Sequence, residues 1–355
     1  MQKRIIRIAT ALAGSVLLIA GCSRPWTLDS VGSEIRFSAG TTLLRDDAQT
    51  KATLSDEFRS GDTFTVFGDR VVSGEKTAVF GTYSEPNGVT VTASGNPLAW
   101  NYYPDFPIRS WSWESTGDWY DFAAVSPAGK GTKRMNIAGN LAISTHFNVT
   151  ADNYDLLGTA YRRRGNEANP AAIVPLTFHH LTSAVCVRIS NDSESTGVTV
   201  DRIEYRNLVV DGDAKITLDQ FGSQEASWIN TERNANPVRV SEPDELVGAG
   251  NSYDTEFDLM IPQRLDQAAA MSGLEDDMPK LILYYTPDGS TQKQESIILK
   301  NVCLKNSDTP ISVWEKGTKY IYEIAMRLDG GLKVTITTTD WGDTIEAETP
   351  GLLIQ

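Results

Sequence analysis

Val174-Pro175-Leu176-Thr177-Phe178, and shortly after it Val185-Cys186-Val187-Arg188-Ile189, put an apolar side chain at every second residue. A strand turns successive side chains to opposite faces, whereas a helix returns to one face after about 3.6 residues, so this period predicts two strands with one buried face. Working outward, the same alternation appears at Thr63 to Phe67, Gly88 to Ala93 and Tyr120 to Val125, with Pro86-Asn87-Gly88 as a turn. It continues at Val198 to Tyr205, Lys215 to Leu218, Phe257 to Ile261, Leu281 to Tyr285, Ser296 to Leu299, Tyr320 to Met326 and Lys333 to Thr338. Only Gln263 to Met271 has a helical pattern, and it is short. Many short strands bounded by Gly, Pro, Asn, Asp and Ser, without strand-helix alternation, predict an all-β chain of antiparallel sandwiches. The chain has 355 residues, 40% of them hydrophobic, enough for two such domains. The polar stretch Arg162 to Ala172 is the expected boundary, dividing 34–170 from 171–355. No internal repeat or low-complexity tract interrupts them.

The N-terminus reads differently. Lys3, Arg4 and Arg7 precede an apolar, small-residue run from Ile8 to Ala20, which is the order of a signal peptide spanning 1–21. The run closes on Ile19-Ala20-Gly21-Cys22, which resembles the lipobox of bacterial lipoproteins. The resemblance implies cleavage between Gly21 and Cys22, a diacylglycerol on the Cys22 thiol and usually an acylated new amine. Two or three chains anchor firmly, since each buried methylene contributes about 0.8 kcal/mol. The polar Ser23 implies outer-membrane sorting by the same analogy. Residues 22–33 then form a flexible stalk rich in Pro, Gly, Ser and Asp. No later apolar stretch approaches the ~18 residues that a spanning helix needs.

A formal net charge of -14 makes nucleic acid and bare anionic membrane poor partners. The basic cluster Arg162-Arg163-Arg164 lies beside Gly165 and Asn166, where a solvated turn is expected rather than a phosphate site. With Cys22 lipidated, Cys186 and Cys303 remain, both in strand-like runs, as buried thiols or as a disulfide. His146, His179 and His180 are the only histidines, and adjacent rings at 179 and 180 must point to opposite faces of a strand, which suits capping or core roles better than a metal pair. Asp211-Gly212-Asp213 and Glu275-Asp276-Asp277 read as solvated turns and lack the full calcium-loop pattern. Trp100, Trp111, Trp113 and Trp119 crowd together, as core filling or as a sugar-binding platform. No nucleophile, zinc, phosphate-loop or cofactor motif is present, so neither an enzyme nor a cofactor is expected.

Several segments in order resemble the fimbrillin family, the Mfa-like and type V pilus subunits of Bacteroidetes and related lipoproteins. They are the lipobox; Glu34-Ile35-Arg36-Phe37-Ser38-Ala39; Thr50-Lys51-Ala52-Thr53; Gly61-Asp62-Thr63-Phe64-Thr65-Val66-Phe67; Trp119 to Pro127; Asp155-Leu156-Leu157; Val174 to Leu181; Trp314 to Tyr320; and Trp341-Gly342-Asp343. The resemblance implies two tandem transthyretin-like β-sandwich domains, a lipidated precursor, and assembly with other pilus subunits by donor-strand exchange. It implies proteolytic removal of a first strand carrying Ile35 and Phe37, whose place a neighbour's C-terminal strand takes. In such fimbrillins an Arg-specific protease cuts before Ala in a Thr-Arg-Ala-Thr-like stretch. Here Lys51 precedes Ala52, with Arg45 upstream and Arg59 downstream as other basic positions, so Arg45, Lys51 and Ala52 mark the candidate maturation site. Lys333 to Thr338 and the tail Gly351 to Ile354 are the candidate donors. The implied location is the outer membrane, lipid-anchored and surface-exposed, or a fimbrium once assembled. The alternative function is a monomeric surface lipoprotein that binds a glycan or a host or bacterial surface ligand.

Overall fold

A computed structural model describes residues 35, 37–41, 58–81, 87–102, 117–135, 137, 139–165, 173–268, 274–305, 307–327 and 331–340. Gly21, Cys22, Arg45, Lys51, Ala52, Trp111, Trp113 and the tail Gly351 to Ile354 lie outside the described residues.

In chain order the first strands are β1 (Phe37–Thr41), β2 (Thr63–Val72), β3 (Glu75–Phe80), β4 (Val89–Ser94), β5 (Ala99–Asn101), β6 (Trp119–Ser126), β7 (Lys133–Met135), β8 (Leu141–Asn148), β9 (Leu157–Arg164) and β10 (Val174–His180). The later ones are β11 (Ser183–Asn191), β12 (Val198–Arg206), β13 (Leu208–Leu218), β14 (Gln224–Asn234), β15 (Arg239–Ser241), β16 (Glu245–Val247), β17 (Ser252–Asp254), β18 (Asp258–Met260), β19 (Gln263–Arg264), β20 (Lys280–Pro287), β21 (Lys293–Ile298), β22 (Val313–Trp314), β23 (Thr318–Arg327) and β24 (Gly331–Asp340). Only two short 3₁₀ turns accompany them among the described residues, so the chain is all-β as its alternation predicts. No helix there is long and apolar enough to cross a membrane.

The eight-stranded sheet runs β1-β10-β9-β6-β2-β4-β5, with β3 attached to β2. Its central strands are buried on both faces. Phe64, Val66, Tyr120, Phe122 and Ala124 enter one core, and Phe67, Ala123 and Val125, facing the other way, enter a second. The second core continues under the β14-β13-β8-β7 sheet through Ile143, Phe147 and Ile216, and then into the sheets built on β11, β12, β20 and β23. Beside the start of β13, buried Gln263 satisfies the backbone: its amide accepts from the Val209 N–H at 2.8 Å and donates to the Ile261 carbonyl at 3.1 Å.

The structure corrects three sequence expectations. Gln263 to Met271 is not helical in its described part: Gln263 and Arg264 form β19, paired with β22, and bends follow. Its helical spacing came from buried residues of an irregular segment, Gln263 and Leu265 among them. Asp211-Gly212-Asp213 is not a turn but the middle of β13, opposite His146 and Asn148 on β8, which hold the two carboxylates across the strand pair. Arg162-Arg163-Arg164 is likewise the end of β9 rather than a solvated turn, because the Arg162 guanidinium meets a buried carboxylate on β6. Backbone pairing also joins strands from before and after residue 170. β10 hydrogen-bonds to β9 and β1, and β8 hydrogen-bonds to β13. Strand pairing is non-local, so a polar connector marks a loop without marking the edge of a sheet.

Candidate functional site

The residues that resemblance marked as a removable strand lie at one end of the eight-stranded path. β1 pairs in parallel with β10, Phe37 opposite Val174 through Thr41 opposite Phe178, and no described strand pairs with its other edge. Parallel pairing follows from the long excursion through β2 to β9 that separates the two strands in sequence. On β10 the alternation is complete: Val174, Leu176, Phe178 and His180 are buried while Pro175, Thr177 and His179 are exposed. Pro175, which lacks an N–H, sits on this strand next to the edge one.

Ile35 and Phe37 point into the first core with 0% and 3% of their surfaces exposed. The Phe37 ring is the hub of an aromatic cluster. Its centroid lies 5.6 Å from those of Phe80 and Phe122, 6.0 Å from Phe64 and 6.2 Å from Tyr102, each in an edge-on arrangement that aromatic quadrupoles favour. Tyr102, one residue past β5, donates its hydroxyl proton to the Ile35 carbonyl at 2.6 Å. The two ends of the sheet path therefore meet, and the sheet curls around its own core with β1 as the closing strand. Phe58 packs beside this cluster on Trp100 at 5.0 Å and Phe178 at 5.3 Å, so Trp100 is core filling. Between Thr41 and Phe58 the sequence carries Arg45 and Lys51.

The start of β1 shares one pole of the molecule with several other strand ends. Phe37 faces Val174, Arg163 donates to the Ile173 carbonyl at 3.0 Å, and Arg164 pairs with Trp119, which in turn faces Val71. The β13-β14 hairpin reaches the same pole, where the Arg162 guanidinium donates to the Gln220 carbonyl. Just inside, Asp121 is fully buried and bonded to Arg162 Nε at 2.5 Å and Lys76 Nζ at 2.8 Å. The hydrogen bond to Asp121 raises the Arg162 pKa above its ordinary value against the opposing effect of burial. Asp69, opposite Asp121 in the register, bonds Arg134 at 2.7 Å. Burial nevertheless raises its carboxyl above the ordinary carboxylate value, outweighing Arg134.

At the other end of β10, His180 Nδ1 lies 2.8 and 3.0 Å from the two carboxylate oxygens of buried Asp155, as a core histidine would. His179 faces outward. Cys186 and Cys303 are both free thiols. Among the described residues no three His, Cys, Asp or Glu side chains cluster in a way that suits a metal ion.

The candidate donor Lys333 to Thr338 lies within β24, an edge strand that pairs antiparallel with β23 over ten residues. Ile336 is fully buried, its N–H donates to the Cys303 carbonyl at 3.0 Å, and its carbonyl accepts from Lys305 N at 2.8 Å. In the monomer this strand is thus held on both edges at its centre.

Residues 50–341 match the fimbrillin-like family. The chain belongs to that family. The match begins between β1 and β2, and the closing strand precedes it. No curated protein matches the chain. Among solved structures, the fimbrillin-like chain is similar to a candidate cell adhesion protein from Bacteroides ovatus at 11% identity and a TM-score of 0.50, over 88% of this chain and 98% of that one. A candidate cell adhesion protein from Bacteroides uniformis matches at 15% identity and a TM-score of 0.48, over 87% and 98%. The tip fimbrial protein Mfa3 from Porphyromonas gingivalis, truncated at its C-terminus, matches at 14% identity and a TM-score of 0.42, over 82% and 97%.

Proposed function

We propose that this chain is a structural or accessory subunit of an adhesive surface pilus, exported as a lipoprotein precursor and assembled by proteolysis-triggered strand exchange. Membership of the fimbrillin-like family supports the pilus reading. The observation that carries the exchange step is the position of β1, which fills the centre of an aromatic core while its backbone is paired along one edge only. A cut after Arg45 or Lys51 separates β1 from the rest of the chain and leaves Phe58 in the core. A cut after Arg59 would take Phe58 as well. Loss of β1 exposes the ring cluster and a row of backbone groups on β10, which an incoming strand with apolar side chains two residues apart satisfies. The lipid on Cys22 anchors the precursor to the outer membrane until then, and the partners are other pilus subunits.

The two candidate donors differ in what they must leave. Lys333 to Thr338 must be stripped from β23 and from the Ile336 clasp, whereas Leu352 and Ile354 in the tail carry the same two-residue spacing as Ile35 and Phe37. The tail is therefore the favoured donor. Limited proteolysis of the purified precursor, followed by N-terminal sequencing, native gels and electron microscopy of cell surfaces with immunogold, tests the reading. Cleavage between Arg45 and Ala52 is expected to be followed by filament growth. Stable monomers under every condition, with no filament on cells carrying the protein, would replace it with the anchored monomeric ligand-binding lipoprotein.

A further inference from the structure

The pole at which the chain enters β1 is apolar to a degree that folding does not explain. Val72, Trp119, Ile173 and Phe221 are all exposed there, and they are half of the exposed large hydrophobic side chains among the described residues. Phe221 is 82% exposed at the tip of the β13-β14 hairpin. The turn does not depend on its ring, because Asp219 accepts from the N–H groups of Phe221 and Ser223 at 2.8 and 2.7 Å and Gly222 supplies the left-handed residue at φ +86°. Trp119 is 41% exposed with the Arg164 guanidinium 4.9 Å from its ring centroid, and Arg163 lies next to it on β9.

From this arrangement we infer that the pole formed by Phe221, Trp119, Val72 and Ile173 docks through these apolar side chains on the lipid surface to which the precursor is tethered. The inference rests on the lipid-anchor part of the proposed function. Twelve residues lie between Cys22 and Ile35, a path of at most about 45 Å fully extended. If the segment is the stalk that the sequence leads us to expect, its root-mean-square span is roughly 20 Å. Because Ile35 enters at this pole, a lipid on Cys22 holds these side chains, and not those of the distant sheets, against the bilayer surface at high effective concentration. Tryptophan and phenylalanine at such a surface bury apolar area among the headgroups.

Carboxylates at the pole are largely engaged. Asp118 bonds Arg70 at 2.6 Å, Asp121 is buried between Arg162 and Lys76, and Asp219 caps its own turn. Among the described residues, Glu75 and Glu225 stand as local opposition. Docking of this kind orients the precursor and ends when maturation removes the tether with β1.

The test uses the full lipidated chain in vesicles of phosphatidylethanolamine with a minor fraction of phosphatidylglycerol. An environment-sensitive dye is attached at F221C, or at L246C on the β16 edge of a sheet that shares no strand with this pole, both in a C303S background. Vesicle flotation and palmitate labelling report the anchor; dye emission and quenching by lipid-borne quenchers report docking. The expected result is flotation of both proteins, with a blue shift and quenching at 221 and neither at 246. A Trp119→Ser, Ile173→Ser variant should still float while losing the shift at 221. Flotation with equal quenching at both positions overturns docking and leaves the anchor standing. No palmitate and no flotation overturns both. A blue shift at 221 that persists in vesicle-free detergent solution and grows with protein concentration overturns the lipid assignment in favour of a second copy of the chain.

Discussion

Phe37→Ala in a precursor cut after Arg45 isolates what β1 contributes to closing the first core. The ring is 3% exposed and edge-on to four other aromatic rings at 5.6–6.2 Å, so truncation removes its apolar burial, opens a cavity and deletes several ring pairs. Core Phe→Ala changes cost about 3–5 kcal/mol, and the rigid aromatic surroundings leave little room for collapse, which places this one toward the upper end. At about 1.4 kcal/mol per tenfold, the affinity of the cut protein for its own β1 peptide should fall by roughly a hundredfold to a few thousandfold. The assay is displacement of a fluorescent peptide covering residues 34–45 from the cut protein, comparing the parent sequence with Phe37→Ala and with Ser38→Ala, whose side chain is exposed. Ser38→Ala should bind within about twofold of the parent, as surface changes away from special features usually do. If Phe37→Ala weakens binding by less than about tenfold, or no more than Ser38→Ala, the view of β1 as a core-filling, replaceable strand is wrong.

Cys22→Ala should yield a full-length precursor that takes up no labelled palmitate and no longer floats with membranes; retained label would refute the lipobox reading. Asp121→Ala strands Arg162 and Lys76 around a buried site and should destabilise by about 3–5 kcal/mol in urea unfolding, with Asp121→Asn recovering only part of it; a change under about 1 kcal/mol would show that the network is not a closed buried one. Burial pushes the Cys186 thiol up to about 12 while Cys303 is part-exposed, so at pH 8 iodoacetamide should modify Cys303 quickly and Cys186 only after unfolding, and equal rates would contradict the placement of β11. For Asp69, where burial raises the carboxyl above its ordinary value of 3.8, the folded state binds the proton more readily than the unfolded one. Its contribution to stability is therefore fully present below pH 3.8 and is lost as pH rises through the folded value, so the stability of the parent minus that of Asp69→Asn should fall over that rise; a value that climbs would reverse the assignment.

Much of the architecture was legible in local pattern. The strands at Val174, Val185, Val198, Leu281 and Tyr320 announced themselves because each has one buried face, and the period of two survives in the sequence. β8, β9 and β14 did not. β14 carries Gln, Glu, Ser, Asn and Arg along a surface strand, and β9 ends in three arginines whose partners lie on β6 and in the β13-β14 hairpin. Asp211 and Asp213 looked like turn residues because the His and Asn that hold them are more than sixty positions away. The arginine cluster carried one usable signal: basic residues beside a strand-forming Tyr161, in a chain with carboxylates to spare.

The all-β class and the two-residue spacing of Ile35 and Phe37 were determined by the sequence alone, since strand period is a property of neighbouring residues. Only the tertiary structure decided that Ile35 and Phe37 close the curled sheet, that they sit against Phe64, Phe80, Tyr102 and Phe122, that β10 belongs with β9 rather than with the strands after it, and that Trp119 and Phe221 share a pole with the start of β1. Those facts depend on which strands pair across long separations. Backbone hydrogen bonds are alike at every residue, so pairing is selected by the packing of whole faces, which no local stretch contains.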